Sequence, residues 1–234
     1  MSAICCACFG SAKAGTLADC MGADGANDPT HTVELCRQAL SQPDIAIADR
    51  TEALVSLGAA LRSLGQLPES QSTLEEAVRL SPANAGALRM LAWTYREGDQ
   101  PQKAEAALTR SLDLEDSVQG LLSRCVVRQD QQRFEESLGD CTVALTRDPE
   151  NTDAIFFTAR AHNALQEFAQ ALSVAKTGLN LRDNDGRIFG EAAYAAWQIG
   201  AKDEATAIIL HGLKLYPADE AIQTTQDWIA AQRN

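Results

Sequence analysis

The feature that most constrains this chain is a repeat. A turn signal recurs at Leu80-Ser81-Pro82, Leu114-Glu115-Asp116, Arg147-Asp148-Pro149, Leu181-Arg182-Asp183 and Leu215-Tyr216-Pro217, with the last members of these triplets 34, 33, 34 and 34 residues apart. Each period holds two helix-length segments with apolar residues at three- and four-residue spacing. A short break separates them, such as Gly65-Gln66 or Gly200-Ala201. A two-helix unit cannot cover its own apolar face, so a chain with this period must stack its units to build a core.

Side-chain sizes follow the period too. The first unit carries Leu54, Leu57, Gly58, Leu61, Ser70, Leu74, Ala77 and Pro82, and the second Leu88, Leu91, Ala92, Tyr95, Ala104, Leu108 and Ser111. The third, most divergent, has Leu121, Cys125, Ser137, Cys141, Ala144 and Pro149. The fourth has Ile155, Thr158, Ala159, Ala171, Ala175 and Gly178, and the fifth Phe189, Ala192, Ala193, Ala205, Ile209, Gly212 and Pro217. Small residues such as Gly58 and Ala92 stand where a first helix meets Ser70 or Ala104 of the second, and a larger side chain there would force the axes apart. Over about residues 50–217 this resembles the tetratricopeptide repeat family. The resemblance implies an all-α fold, a right-handed superhelical solenoid of about five hairpins within 29–217, with capping helices at both ends. Thr32–Ser41 reads as the front helix, a first-unit helix as running from about Ile45 to Leu64, and 218–234 as the closing segment, with its helix over Glu220–Gln232. Residues 1–28 read as a loose segment without helical periodicity.

Composition agrees. The chain is 45% apolar but only 5% aromatic, which favours helices packed through small side chains over a β-sandwich. A net charge of −12 repels phosphate backbones and argues against nucleic acid. No apolar stretch is long enough for a membrane span.

The resemblance places a ligand on the concave face formed by the first helix of each unit. With the core positions assigned, helical spacing leaves Arg62, Arg89, Trp93, Arg96, Gln129, Phe156, Arg160, Asn163, Arg187, Tyr194 and Trp197 on that face. The first helices hold seven arginines (Arg62, Arg89, Arg96, Arg124, Arg128, Arg160 and Arg187) against six acids, while the second helices are strongly acidic. A near-neutral or slightly basic groove in an acidic shell is expected, suited to a peptide with carboxylates and apolar anchors. The same aromatics and arginines could equally be packing and solvated surface. The Lys/Asn/Arg clamp by which some family members hold C-terminal carboxylates is missing, since those positions hold Val55, Ala59, Met90, Gln119 and Ser123.

Seven cysteines are present. Ala12-Lys13-Ala14 closes a short apolar run without a basic start and matches a small-x-small cleavage site, so the start reads either as the remnant of a signal peptide ending near residue 14 or as an ordinary loose start. Asp19-Cys20, Asp28-Pro29 and the segment from Glu34 to Leu40 resemble the opening of exported bacterial tetratricopeptide proteins, which implies a Cys20–Cys36 disulfide and a periplasmic or otherwise exported chain. The alternative is a cytoplasmic protein with two thiols. Cys125 and Cys141 flank one hairpin turn and should face each other, read as buried thiols before a disulfide. Cys5, Cys6 and Cys8 contain a C-x-x-C spacing without the strand–helix context of a redox site, and a zinc site would need four ligands with only Cys20 near. His31, His162 and His211 lie in different helices, and no phosphate loop, nucleophile elbow or H-E-x-x-H motif occurs. The reading is a non-enzymatic scaffold or adaptor for a protein or peptide partner, with no cofactor and no metal. Its alternatives are a redox-active or metal-binding protein using the N-terminal cysteines, and a self-associating structural protein.

Overall fold

The computed structural model describes residues 17–22, 28–181 and 185–232, and among these it is helical without a strand. The helices are α1 (17–21), α2 (Pro29–Leu40), α3 (Ile47–Ser63), α4 (Leu67–Leu80), α5 (Ala85–Glu97), α6 (Pro101–Leu114) and α7 (Val118–Asp130). They continue as α8 (Phe134–Arg147), α9 (Thr152–Ala164), α10 (Phe168–Leu179), α11 (Gly186–Gln198), α12 (Lys202–Leu215) and α13 (Glu220–Ala231). The chain forms two compact units, Met1–Asp116 and Ser117–Asn234.

Each repeat is a hairpin of a first helix (α3, α5, α7, α9, α11) and a second (α4, α6, α8, α10, α12). The two kinds begin differently. The first helices α5, α7, α9 and α11 are capped by Asn84, Ser117, Asn151 and Asp185, whose side chains accept backbone N–H bonds. No second helix has such a cap, and α4 and α6 carry proline in their first turn instead (Pro68 and Pro101), which gives up no needed donor there. The second helices are set by the turn before them. At every hairpin one residue sits at positive φ: Gly65 (72°), Asp99 (55°), Gln132 (60°), Gln166 (61°) and Gly200 (83°). The next N–H then reaches back five residues, as in Gln66 N to Leu61 O (2.9 Å), Gln100 N to Tyr95 O (2.8 Å), Arg133 N to Arg128 O (2.9 Å), Glu167 N to His162 O (2.8 Å) and Ala201 N to Ala196 O (2.9 Å). This left-handed cap satisfies the last carbonyls and reverses the chain within three residues.

In the N-terminal unit α2 packs on α3, and the α3–α4 hairpin packs on α5. A Cβ on Gly58 would lie 2.8 Å and 3.0 Å from the Leu74 methyl carbons, with Cγ closer still. Ser70 Oγ donates to Gly58 O at 2.7 Å and shares a 3.0 Å bond with Thr94 Oγ1, so one buried hydroxyl fixes the spacing of three helices. In the C-terminal unit the core runs from Ile155 through Ile188 and Phe189 to Ile222 and Ile229. Gly178 and Gly212 do there what Gly58 does earlier: a Cβ on Gly178 would be 2.9 Å from Ile188, and one on Gly212 2.9 Å from Ile222 and Phe189.

At the N-terminus the structure adds a short helix and contains the Cys20–Cys36 link that the resemblance implies. Residues 17–21 form a helix, and Cys20 and Cys36 form a disulfide with Cα atoms 4.8 Å apart. Both cysteines are buried with Val33, Ala53, Leu57 and Leu61. The segment holds because its link sits inside the core, a contact that periodicity does not reveal. α2 starts at Pro29, earlier than Thr32, because the Asp28 carboxylate accepts from Thr30 N (3.0 Å) and His31 N (3.1 Å). Cys125 and Cys141, expected as packed thiols, are joined, with Cα atoms 5.7 Å apart across the α7–α8 hairpin. Cys5, Cys6, Cys8 and the cleavage site near residue 14 lie outside the described residues. No described helix is long and apolar enough to cross a membrane.

Candidate functional site

In the C-terminal unit three helices place one stripe each around a shared cavity of about 320 Å³. From α11 come Arg187, Gly190, Glu191 and Tyr194, spaced i, i+3, i+4 and i+7, which is one helix face. From α9 come Arg160, Asn163 and Ala164, and from α13 Ala221 and Thr225. Phe134, at the start of α8, closes one side.

Glycines set the approach of α13. A Cβ on Gly186 would strike the Asp219 carboxylate, which caps α13 by accepting from Ile222 N at 3.0 Å. A Cβ on Gly190 would lie 3.2 Å from both Ala221 O and Thr225 Oγ1. Tyr194 is held by aromatic contacts, its ring centroid 6.0 Å from Phe168 and 5.0 Å from Trp228. The ring is thereby oriented before any ligand arrives.

The charges have distinct states. The Arg187 Nε donates to Asp185 (2.8 Å) and its Nη2 to Asp153 (2.7 Å), while the guanidinium lies 4.4 Å from the Phe156 ring centre. The Asp185 and Asp153 bonds hold Arg187 charged more firmly than an ordinary arginine, against the opposing effect of burial. Burial pushes the Asp185 carboxyl up, but the Arg187 side-chain and backbone bonds outweigh it and leave it below its usual range. Burial also raises Glu191, and this time it prevails, although Asn163 bonds it and the Arg160 charge opposes the shift. Asn163 Nδ2 donates to Glu191 Oε2 at 2.7 Å and to Glu191 O at 3.1 Å. Arg160 is exposed and forms no ion pair among the described residues.

Of the eleven residues that spacing assigned to the open face, Arg160, Asn163, Arg187 and Tyr194 line this one cavity. Others are placed differently. Gln129 is 3% exposed and its Nε2 donates to Phe157 O at 2.7 Å. Phe156 and Trp197 are each 8% exposed, one beneath Arg187 and the other 5.0 Å from the Lys202 ammonium. These three are packing residues, because a neighbouring helix covers the face that spacing within one helix leaves open. Asn163, though at the cavity, is itself buried. In the N-terminal unit Arg62 pairs with Glu97, Arg89 reaches Glu115 at 3.4 Å, and the Arg96 guanidinium lies 5.1 Å from the Trp93 ring centre. The expected surplus of base on the first helices is therefore largely consumed: Arg124 and Arg128 also pair, both with the buried Asp140, at 2.8 Å and 2.9 Å.

Sequence reasoning missed Glu191, Phe134 and Thr225. Glu191 was legible, since it lies between Arg187 and Tyr194 on their own stripe. Phe134 belongs to a second helix and Thr225 to the closing helix, so a rule confined to first helices passes over both.

Comparison with known proteins gives one family match: residues 51–84 fit the tetratricopeptide repeat. The curated proteins give no match by sequence. Among solved structures the chain is similar to PilW, described as a widely conserved type IV pilus biogenesis factor, at 14% identity and TM-score 0.79 over 93% of this chain and 100% of that one. It is similar to PilF of Pseudomonas aeruginosa at 14% identity and TM-score 0.75, covering 93% and 97% of the two chains. It is also similar to YrrB, described as a TPR protein with an unusual peptide-binding site, at 13% identity and TM-score 0.64, covering 83% and 99%. Likeness at these identities establishes the fold.

Proposed function

We propose that this tetratricopeptide repeat protein is a non-catalytic interaction module that holds a segment of a protein partner at the cavity between α9, α11 and α13. The observation carrying this reading is the cavity itself. Three helices aim one stripe each at a common space, and that space combines an exposed arginine, a pre-oriented tyrosine and a half-buried carboxylate. Aromatic and arginine side chains in a partly desolvated recess are what concentrate binding energy at protein interfaces. The described peptide-binding site of YrrB, a protein of similar fold, supports the general role.

The chain immobilised whole should recover a partner from its native source. Arg160→Glu combined with Tyr194→Ala should abolish recovery while the far-ultraviolet circular dichroism stays helical. Undiminished recovery by that variant removes the site.

We further read the chain as exported. The buried Cys20–Cys36 link and the second pair at Cys125–Cys141 suit an oxidising compartment. Intact-mass measurement on protein from the native source tests this: full reduction of both pairs in freshly quenched cells contradicts it.

A further inference from the structure

Taking the cavity as the partner site, its hydrogen-bonding groups can be sorted into those spent within the protein and those left over. The Arg187 Nε and Nη2 are engaged, leaving the Nη1 hydrogens. Arg160 has no ion pair, and the Tyr194 hydroxyl has no partner among the described residues. Three donors, two of them charged, thus face one space. The carboxylates beside them are Asp153 and Asp185, both spent on Arg187, and Glu191, with one oxygen already taken by Asn163. A cationic ligand would enter against the exposed Arg160 guanidinium and find the carboxylates beside Arg187 already engaged. A neutral one would leave Arg160 with only the Glu191 carboxylate, to which it is not bonded, as a counter-charge. An anionic oxygen pair satisfies the donors.

We propose that the cavity receives a carboxylate side chain of the partner, bound by Arg160, Arg187 and Tyr194, with one proton taken from solvent onto Glu191 as it binds. No covalent bond changes, and the proton uptake cancels the charge that the incoming carboxylate would otherwise set beside Glu191.

The uptake follows from the surroundings of Glu191. Desolvation already disfavours its charge, and the Arg160 guanidinium is the positive group that offsets this. A carboxylate that engages Arg160 weakens that support and adds a like charge, and both changes favour the protonated form. The ionisable groups around the cavity are Arg160 from α9 and Arg187 and Tyr194 on the helix of Glu191, with Asp185 and Asp153 held on Arg187 and Asp219 capping α13 beside Gly186. α8 and α13 line the cavity with Phe134, Ala221 and Thr225 only, and α10 and α12, though packed on α11, contribute nothing to it. The bound state therefore holds more protons than the free state. Affinity should tighten as pH falls, until the ligand carboxylate itself protonates near about pH 4.

The test uses the full chain and three blocked hexapeptide libraries, alike except for a central glutamate, glutamine or lysine. Binding is followed by titration calorimetry and by the resonances of Tyr194 and the Trp228 indole. The glutamate library should bind best, and about threefold or more tighter at about pH 5.5 than at about pH 7.5. Arg160→Ala should weaken it about tenfold. Glu191→Gln should retain binding and lose the pH dependence. Preference for lysine, indifference to Arg160→Ala, or a pH dependence that survives Glu191→Gln overturns the carboxylate inference while leaving a partner site in place. If no library moves Tyr194 or Trp228, the cavity is not a partner site and the underlying reading falls with it.

Discussion

Replacing Gly58 with alanine sets two well-known effects against each other. In the middle of α3 the change gains helix propensity of about 1 kcal/mol. Against this, the new methyl would lie 2.8 Å and 3.0 Å from the Leu74 methyl carbons and nearer still to Cγ, roughly 1 Å inside normal contact. Leu74 is fully buried, and the helices cannot simply part. Moving α4 away would break the Ser70–Gly58 bond (2.7 Å) and the Ser70–Thr94 bond (3.0 Å), both buried. Overpacking of this kind costs about 1–3 kcal/mol, and the loss of a buried hydrogen bond adds about 1 kcal/mol. The steric effect should win, leaving a net loss of about 1–3 kcal/mol. Native-state hydrogen exchange is the suitable assay, because repeats open locally. Protection of α3 and α4 amides should fall about tenfold, while α11 and α12 in the other unit serve as the internal reference. Gly58→Ala should also be less harmful in a Leu74→Ala background, where the methyl enters space already vacated, with a coupling of about 1 kcal/mol or more. Increased protection in the single variant, or simple additivity in the double, would refute the packing argument.

Three further outcomes can be checked independently. Cys36→Ser removes a link between residues 16 apart, so it should lower unfolding stability by about 3 kcal/mol, read from urea midpoints of oxidised protein; an unchanged midpoint contradicts the staple. Asp140→Ala strands Arg124 and Arg128, which both bond its buried carboxylate, and should cost about 3 kcal/mol in the same assay. The Tyr95 hydroxyl, raised to about 12 by burial and by its bond to Glu75, should ionise late in an ultraviolet titration. Because the folded value exceeds the unfolded one, its stabilising contribution is complete below about pH 10, lost as pH rises through about 12, and reduced by Glu75→Gln.

Much of the fold was legible because one physical demand is written several times over. Leu54, Leu88, Ile155 and Phe189 recur at one phase of the period and are all buried, and the small residues Gly58, Gly178 and Gly212 mark close helix approaches. The site was only partly legible. Helical spacing says which way a side chain leaves its own axis, and this suffices for Arg160, Arg187 and Tyr194. It does not say what the next helix covers, which is why Gln129, Phe156 and Trp197 were expected in the open and are buried. Ion pairing was equally hidden. Arg187 finds Asp153 thirty-four residues away, a distance that composition cannot convert into a contact. The joined Cys125 and Cys141 show the limit from the other side: symmetry about the turn placed them face to face, but not their chemical state.

The left-handed residue at each hairpin elbow bears on how such a chain can grow. Asp99 and Gln132 occupy equivalent backbone geometry at successive elbows, so the segment between them begins and ends on interchangeable joints. A duplicated or excised cassette cut at those joints would need no new bend, and length could change in whole repeats without inventing local geometry. The points where this polypeptide reverses are thus also the places where its gene can be edited most cheaply.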